Sequence, residues 1–122
     1  MRITKAATFD AAHYLENKDA DGGDHPYARM HGHSFRVEIT VEGEPDPDKG
    51  WVADFADVAD ALEEVSKELD HRLLNDVDGL AAPTLENLCL WIAAQLTPRL
   101  PGLVEVKVER PSNGEACVYT LD

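Results

Sequence analysis

Residues 31–42 admit few structures. Phe35, Val37, Ile39 and Val41 alternate with Arg36, Glu38, Thr40 and Glu42, the period-two pattern of a strand with one face in the core. His31 and His33 lead into this run in phase, so both imidazoles fall on one face of the strand. His13 stands upstream, at the end of another apolar segment. Two imidazoles from one strand and a third from a neighbouring strand make a three-nitrogen site with an open position. That donor set belongs to a catalytic zinc rather than a structural one. The spacing alone does not bring the strands together, and the plain alternative is a set of ordinary surface or core histidines.

The chain has 122 residues, enough for one domain with a real core and too few for two. Residues 1–122 are therefore read as a single unit. Every long apolar stretch is interrupted by charge or proline, so no segment spans a bilayer. Met1-Arg2-Ile3-Thr4-Lys5 has no apolar core of a signal peptide, and a cytoplasmic location is expected. Cys89 and Cys117 form no metal or redox motif and read as free, buried thiols. The net charge is −13, from 24 acidic and 11 basic residues. That balance opposes nonspecific binding to a polyanion such as nucleic acid. An anionic small substrate remains compatible if a local cluster of His, Lys, Arg or metal offsets the field. Otherwise the acidity serves solubility or adaptation to salt.

Residues 2–9 read as a first strand and the polar, Asp/Gly/Pro-rich residues 14–30 as a loop. Residues 33–43 form the second strand, followed by turn-rich residues 43–50. Asp54 is a candidate N-cap for a helix carrying Phe55, Val58, Leu62, Val65 and Leu69 as one apolar stripe. Residues 70–83 are irregular. Thr84 caps a second helix with Leu85, Leu88, Ile92 and Leu96 on its buried face, stopped by Pro98 and Pro101. Residues 103–110 and 116–121 close the chain as a hairpin around Pro111-Ser112-Asn113-Gly114. The order ββααββ predicts an α+β domain, a four-stranded antiparallel sheet with two helices on one face. Such a sheet has two open edges, and joining subunits edge to edge is one way to protect them. A homo-oligomer is expected.

Two further features carry chemistry. Asp70 and His71 follow the first helix, and a carboxylate beside an imidazole can fix its tautomer and raise its basicity. The alternative is a polar helix C-terminus, where a protonated histidine suits the helix dipole. On spacing alone that alternative prevails. Glu109 continues the face of Glu105 and Lys107, opposite Val104, Val106 and Val108. A carboxylate there can hold a guanidine-like heterocycle through two parallel hydrogen bonds, although the pattern by itself favours a solvated strand residue.

Together Phe9…His13, His31-Gly32-His33, Asp54-Phe55, Leu69-Asp70-His71…Leu74-Asn75, Pro83-Thr84-Leu85-Glu86-Asn87 and Glu109 resemble the 6-pyruvoyltetrahydropterin synthase / 6-carboxytetrahydropterin synthase (QueD) family. The resemblance spans about residues 3–119, in order and with short gaps. It implies the tunnelling fold (T-fold), in which three subunits join their sheets into a barrel and two trimers stack into a hexamer. It implies a pterin substrate, 7,8-dihydroneopterin triphosphate, bound between subunits. It assigns His13, His31 and His33 as ligands of Zn2+ and Glu109 as the anchor of the pterin ring, with Thr84 lining that pocket. Asp70 and His71 become an acid/base pair given to a neighbouring subunit's site.

The match departs from the family where a catalytic cysteine usually precedes the first histidine of His-Gly-His by four residues: Tyr27 occupies that place. A phenol, with an ordinary pKa near 10, is a poor base at neutral pH, but it can donate a proton or a hydrogen bond to a developing enolate. His25 is the other nearby candidate base. Arg110 stands where the family commonly has threonine, and a surface salt bridge is the expectation for its charge. Three readings follow. The first is a zinc lyase of the 6-carboxytetrahydropterin synthase type, with Tyr27 or His25 in place of cysteine, slightly preferred over the 6-pyruvoyl branch. The second is a related enzyme cutting the side chain by retro-aldol cleavage to a 6-hydroxymethylpterin. The third is a non-catalytic pterin-binding homologue. The three histidines and Asp70-His71 argue against the third, because a pure binder needs only Glu109 and the pocket.

Overall fold

The computed structural model describes residues 1–16 and 26–122. Its elements are β1 (Arg2–His13), β2 (His31–Glu42), α1 (Phe55–Leu69), α2 (Leu85–Leu96), β3 (Leu103–Arg110) and β4 (Glu115–Thr120). Short 3-10 turns occupy Pro26–Ala28, Leu74–Asp76 and Pro111–Asn113. The four strands form one antiparallel sheet in the order β1-β2-β3-β4, as the ββααββ reading expects. No helix among the described residues is long and apolar enough to cross a membrane.

Period-two alternation sorts the sheet into two faces. Phe9, Phe35, Val37, Ile39, Val106 and Val108 are buried on the helix side, and Phe9 and Phe35 stack with centroids 5.1 Å apart. On that layer sit Val58, Ala61, Leu62, Val65 and Leu69 of α1 and Leu85, Leu88, Ile92 and Leu96 of α2, all buried. Burying each leucine of this set contributes roughly 1.5–3 kcal/mol. Both helices start as their caps dictate. The Asp54 carboxylate accepts from the Ala56 amide and the Thr84 hydroxyl from the Asn87 amide, each satisfying a donor the first turn leaves unpaired.

Four expectations need correction. β1 runs to His13 rather than ending at residue 9, because its ladder with β2 continues through Ala11↔His33 to His13↔His31. Phe55 is not part of the buried stripe. It is 51 % exposed, since side chains lean toward the helix N-terminus and the first helical residue overhangs the end of the layer. Cys89 is buried, but Cys117 is only half-buried because β4 is an edge strand. Arg110 is buried rather than a surface residue, with 8 % exposure, because alternation from Val106 and Val108 carries it to the helix side.

Gly102 precedes β3, where a Cβ would lie 2.8 Å from the Glu42 carbonyl oxygen, while its own carbonyl accepts from the Glu42 amide at 2.8 Å. The backbone cannot yield there without losing that bond. Gly102→Ala is expected to destabilise the fold by about 1–3 kcal/mol, measured by urea unfolding. Unchanged stability would show that the β2–β3 junction tolerates the shift.

Candidate metal centre and acid/base pair

The final pair of the β1–β2 ladder places His13 opposite His31, and His33 stands two residues along on the same face. Ring centroids are 4.6 Å apart for His13–His31, 5.1 Å for His13–His33 and 4.8 Å for His31–His33. One ring nitrogen from each lies within 4.8 Å of the others. Register and alternation thus gather the cluster, as the histidine pattern anticipates.

Hydrogen bonds fix how the rings are held. His13 Nδ1 lies 2.9 Å from the Pro83 carbonyl and His31 Nδ1 2.7 Å from the Arg29 carbonyl. A carbonyl only accepts, so both Nδ1 atoms carry the proton, and each Nε2 of the neutral ring keeps its lone pair. The Nε2 atoms of His13, His31 and His33 are buried without a hydrogen-bond partner among the described residues. Three buried ring nitrogens left unpartnered are costly unless a ligand sits among them. The donor set, three imidazoles of which His13 and His31 are oriented by backbone carbonyls, suits a divalent ion such as zinc. Burial keeps His13 neutral, lowering its pKa to about 4, and lowers that of His33.

Tyr27 borders the cluster, its ring 5.9 Å from that of His31. His25 lies outside the described residues. Thr84 neighbours Pro83, whose carbonyl holds His13, but its hydroxyl is engaged as the α2 cap.

Asp70 and His71 do touch: Asp70 Oδ2 lies 2.9 Å from His71 Nδ1. Their placement has a cause. Asp70 caps the C-terminus of α1, and its Oδ1 accepts from the Asp10 amide at 2.9 Å, while the His71 amide donates to the Asp10 carbonyl at 2.6 Å. His71 thereby adopts φ 56°, a left-handed conformation that a non-glycine residue holds only when its surroundings impose it. Its side chain is 80 % exposed and borders an open depression of about 580 Å³ with Asp10, Ser34 and Leu73. Hydrogen bonding to Asp70 raises the His71 pKa, and the Asp10 amide, then His71, lower that of Asp70.

Glu109 lies on the opposite face of the sheet from the histidines, next to Arg36 in the ladder. Lys107 Nζ approaches its carboxylate at 2.7 Å and Arg36 at 3.6 Å, and both, Lys107 first, hold its pKa below the ordinary value. Within one chain the structure therefore assembles the three histidines with Tyr27 and joins Asp70 to His71. It does not bring Glu109 to either group. The Pro83 and Arg29 carbonyls escaped the sequence reading, because they leave no side-chain signal. The burial of Arg110, in phase with Val106 and Val108, was visible in the alternation.

The Asp70–His71 contact makes a titration prediction. A raised histidine pKa means that the pair's histidine contribution is complete below about 6.5 and lost as pH rises through the higher folded value. The lowered Asp70 pKa adds a contribution present above about 3.9 and lost at more acid pH. NMR titration of His71 should give a midpoint above 6.5 that drops on Asp70→Asn. An unchanged midpoint would contradict the contact.

A family model described as 6-pyruvoyl tetrahydropterin synthase matches residues 2–122. The chain is 41% identical over 106 residues to the dihydroneopterin monophosphate aldolase of Pyrococcus furiosus, covering 87% of this chain and 83% of that protein. It is 37% identical over 112 residues to the 6-carboxy-5,6,7,8-tetrahydropterin synthase of Synechocystis, with coverages of 87% and 83%. It is 34% identical over 125 residues to the human 6-pyruvoyl tetrahydrobiopterin synthase, with coverages of 92% and 86%. In fold it is similar to the Caenorhabditis elegans 6-pyruvoyl tetrahydropterin synthase, with a TM-score of 0.87 at 24% identity over 100% of this chain and 96% of that one. With its four-stranded antiparallel T-fold and its histidine cluster, the chain belongs to the 6-pyruvoyl tetrahydropterin synthase family of pterin enzymes.

Proposed function

We propose that this protein is a metal-dependent lyase that cuts the side chain of a phosphorylated 7,8-dihydroneopterin by retro-aldol cleavage, releasing a 6-hydroxymethyl-7,8-dihydropterin. The observation that carries this reading is the pairing of three unpartnered imidazole nitrogens with a separate Asp70–His71 dyad, while Tyr27 stands at the cysteine position. Retro-aldol chemistry needs an acidified hydroxyl and a base, and no thiolate. The 41% identity to an aldolase supports the same choice. The 6-carboxytetrahydropterin synthase reading, which the sequence alone places first, becomes the second one, supported by the 37% identity to a synthase of that name.

Zn2+ held by His13, His31 and His33 would supply Lewis acidity toward a side-chain hydroxyl. Asp70 holds the His71 proton on Nδ1, which leaves Nε2 as the base for that hydroxyl. Loss of the hydroxyl proton to His71 turns that carbon into an aldehyde as the adjacent carbon–carbon bond breaks. The released pair enters the conjugated C6–N5 imine of the dihydropterin. Return of the proton to the exocyclic carbon completes the hydroxymethyl group. Tyr27 O–H, beside His31, donates a hydrogen bond to the oxygen on which charge develops. Glu109, kept ionised by Lys107 and Arg36, receives the guanidine-like edge of the pterin.

Glu109 faces away from the histidines of its own chain, and both β1 and β4 are edge strands. The reading therefore includes a homo-oligomer, for which the family resemblance implies a hexamer built as a dimer of trimers, in which Asp70, His71 and Glu109 serve a neighbour's metal centre. The zinc-loaded protein, incubated with dihydroneopterin mono- and triphosphate, should yield the 6-hydroxymethyl product by mass, and His71→Ala should cut turnover by about 10²–10⁴-fold with substrate still bound. A 6-carboxy or 6-pyruvoyl product would transfer the assignment to the synthase reading, and binding without turnover would reject a lyase.

A further inference from the structure

All the buried side-chain polar atoms that lack a hydrogen-bond partner among the described residues, apart from Ser66 Oγ, belong to five residues. They are the three Nε2 atoms of His13, His31 and His33, together with Nε and Nη1 of Arg110 and Oε1 of Glu115. Arg110 ends β3 on the same sheet face as the histidines, and the turn Pro111–Asn113 that follows it packs against β2. Its charge is felt at both His13 and His33. Arg110 is 8 % exposed. The carboxylate paired with it among the described residues, Glu115, approaches Nε at 3.3 Å without hydrogen-bond alignment.

A buried guanidinium with open donors is expensive, and proteins keep such an arrangement mainly where a ligand completes it. The complement of three unpartnered imidazole nitrogens plus an unfilled guanidinium edge is a cation carrying an oxyanion. Arginine is the side chain best shaped for such an oxyanion, because its N–H groups form a rigid fork matched to phosphate oxygens. Glu115 takes the Nε side and leaves Nη1 for the ligand.

We propose that Arg110 forms an anion subsite beside the histidine cluster and binds the phosphate ester of the substrate. The identification of that phosphate rests on the lyase reading above, whereas the anion subsite itself does not. Arg110 is then a specificity residue: it selects phosphorylated over unphosphorylated dihydroneopterin. Glu115 opposes it, holding the guanidinium in place and weakening its hold on the anion.

The test uses the zinc-loaded full chain with two probes. The first is inorganic phosphate, followed by calorimetric titration, which needs no turnover. Arg110→Met should weaken phosphate binding at least tenfold, while Glu115→Gln should tighten it several-fold. A merely structural ion pair would move both variants the same way. The second probe is kcat/KM for dihydroneopterin monophosphate against dihydroneopterin. Arg110→Met should reduce the preference for the phosphorylated substrate at least tenfold, with Arg110→Lys in between. Phosphate affinity unchanged in Arg110→Met would overturn the subsite. Equal losses on both substrates would overturn the assignment to the phosphate ester and give the anion's place to a side-chain alkoxide. Phosphate binding that responds to both variants, in a protein that turns over neither substrate, would uphold the subsite and reject the lyase reading.

Discussion

The β1–β2 ladder is the constraint on which the rest depends. Its register sets His13 against His31 and puts His33 on the same face; a slip of one residue would send an entire set of side chains to the other side of the sheet. Phe9 against Phe35 and the buried run Val37, Ile39 and Val41 lock that register, because a one-residue slip buries Arg36 and Glu38 beneath the helices and a two-residue slip breaks the Phe9–Phe35 stack. The histidine cluster is therefore a product of core packing. Its geometry is imposed by hydrophobic residues further along the same two strands.

The second support comes from the segment between the two helices. Residues 70–83 tie the helical layer to the end of β1 at several points: Asp70 and His71 to the backbone of Asp10, the Arg72 carbonyl to the Ala12 amide, and Asn75 to Tyr14. The same segment ends at Pro83, whose carbonyl orients His13. One such stretch thus sets both the Asp70–His71 contact and the tautomer of a candidate metal ligand. Polar bonds to backbone do this with a directionality that apolar contacts lack.

How much of this was legible in the sequence follows from what each feature depends on. Periodicity carried the sheet, both helices and their caps, and the phase of His31 with Phe35 carried the common face of two ligands. The length of β1 was missed because Asp10 and His13 break its apolar alternation, yet their polar groups are satisfied by Asp70, His71 and Pro83 from distant sequence. The contact of Asp70 with His71 depends on a left-handed backbone at a histidine, which no local propensity announces. Arg110 was misplaced for a different reason: its charge was weighed above its phase, although phase decides burial on a strand whose neighbours are fixed. The separation of Glu109 from the histidines was implicit in the same alternation.

The central claim is that the three unpartnered nitrogens form a metal centre with room for a substrate oxygen. X-ray absorption at the zinc edge of the purified, zinc-loaded protein tests it most directly. The account predicts one zinc per chain with three imidazole nitrogens at about 2.0–2.1 Å and an oxygen that exchanges on adding substrate. A site with fewer imidazoles, a closed shell that ignores substrate, or zinc well below one per chain would contradict it.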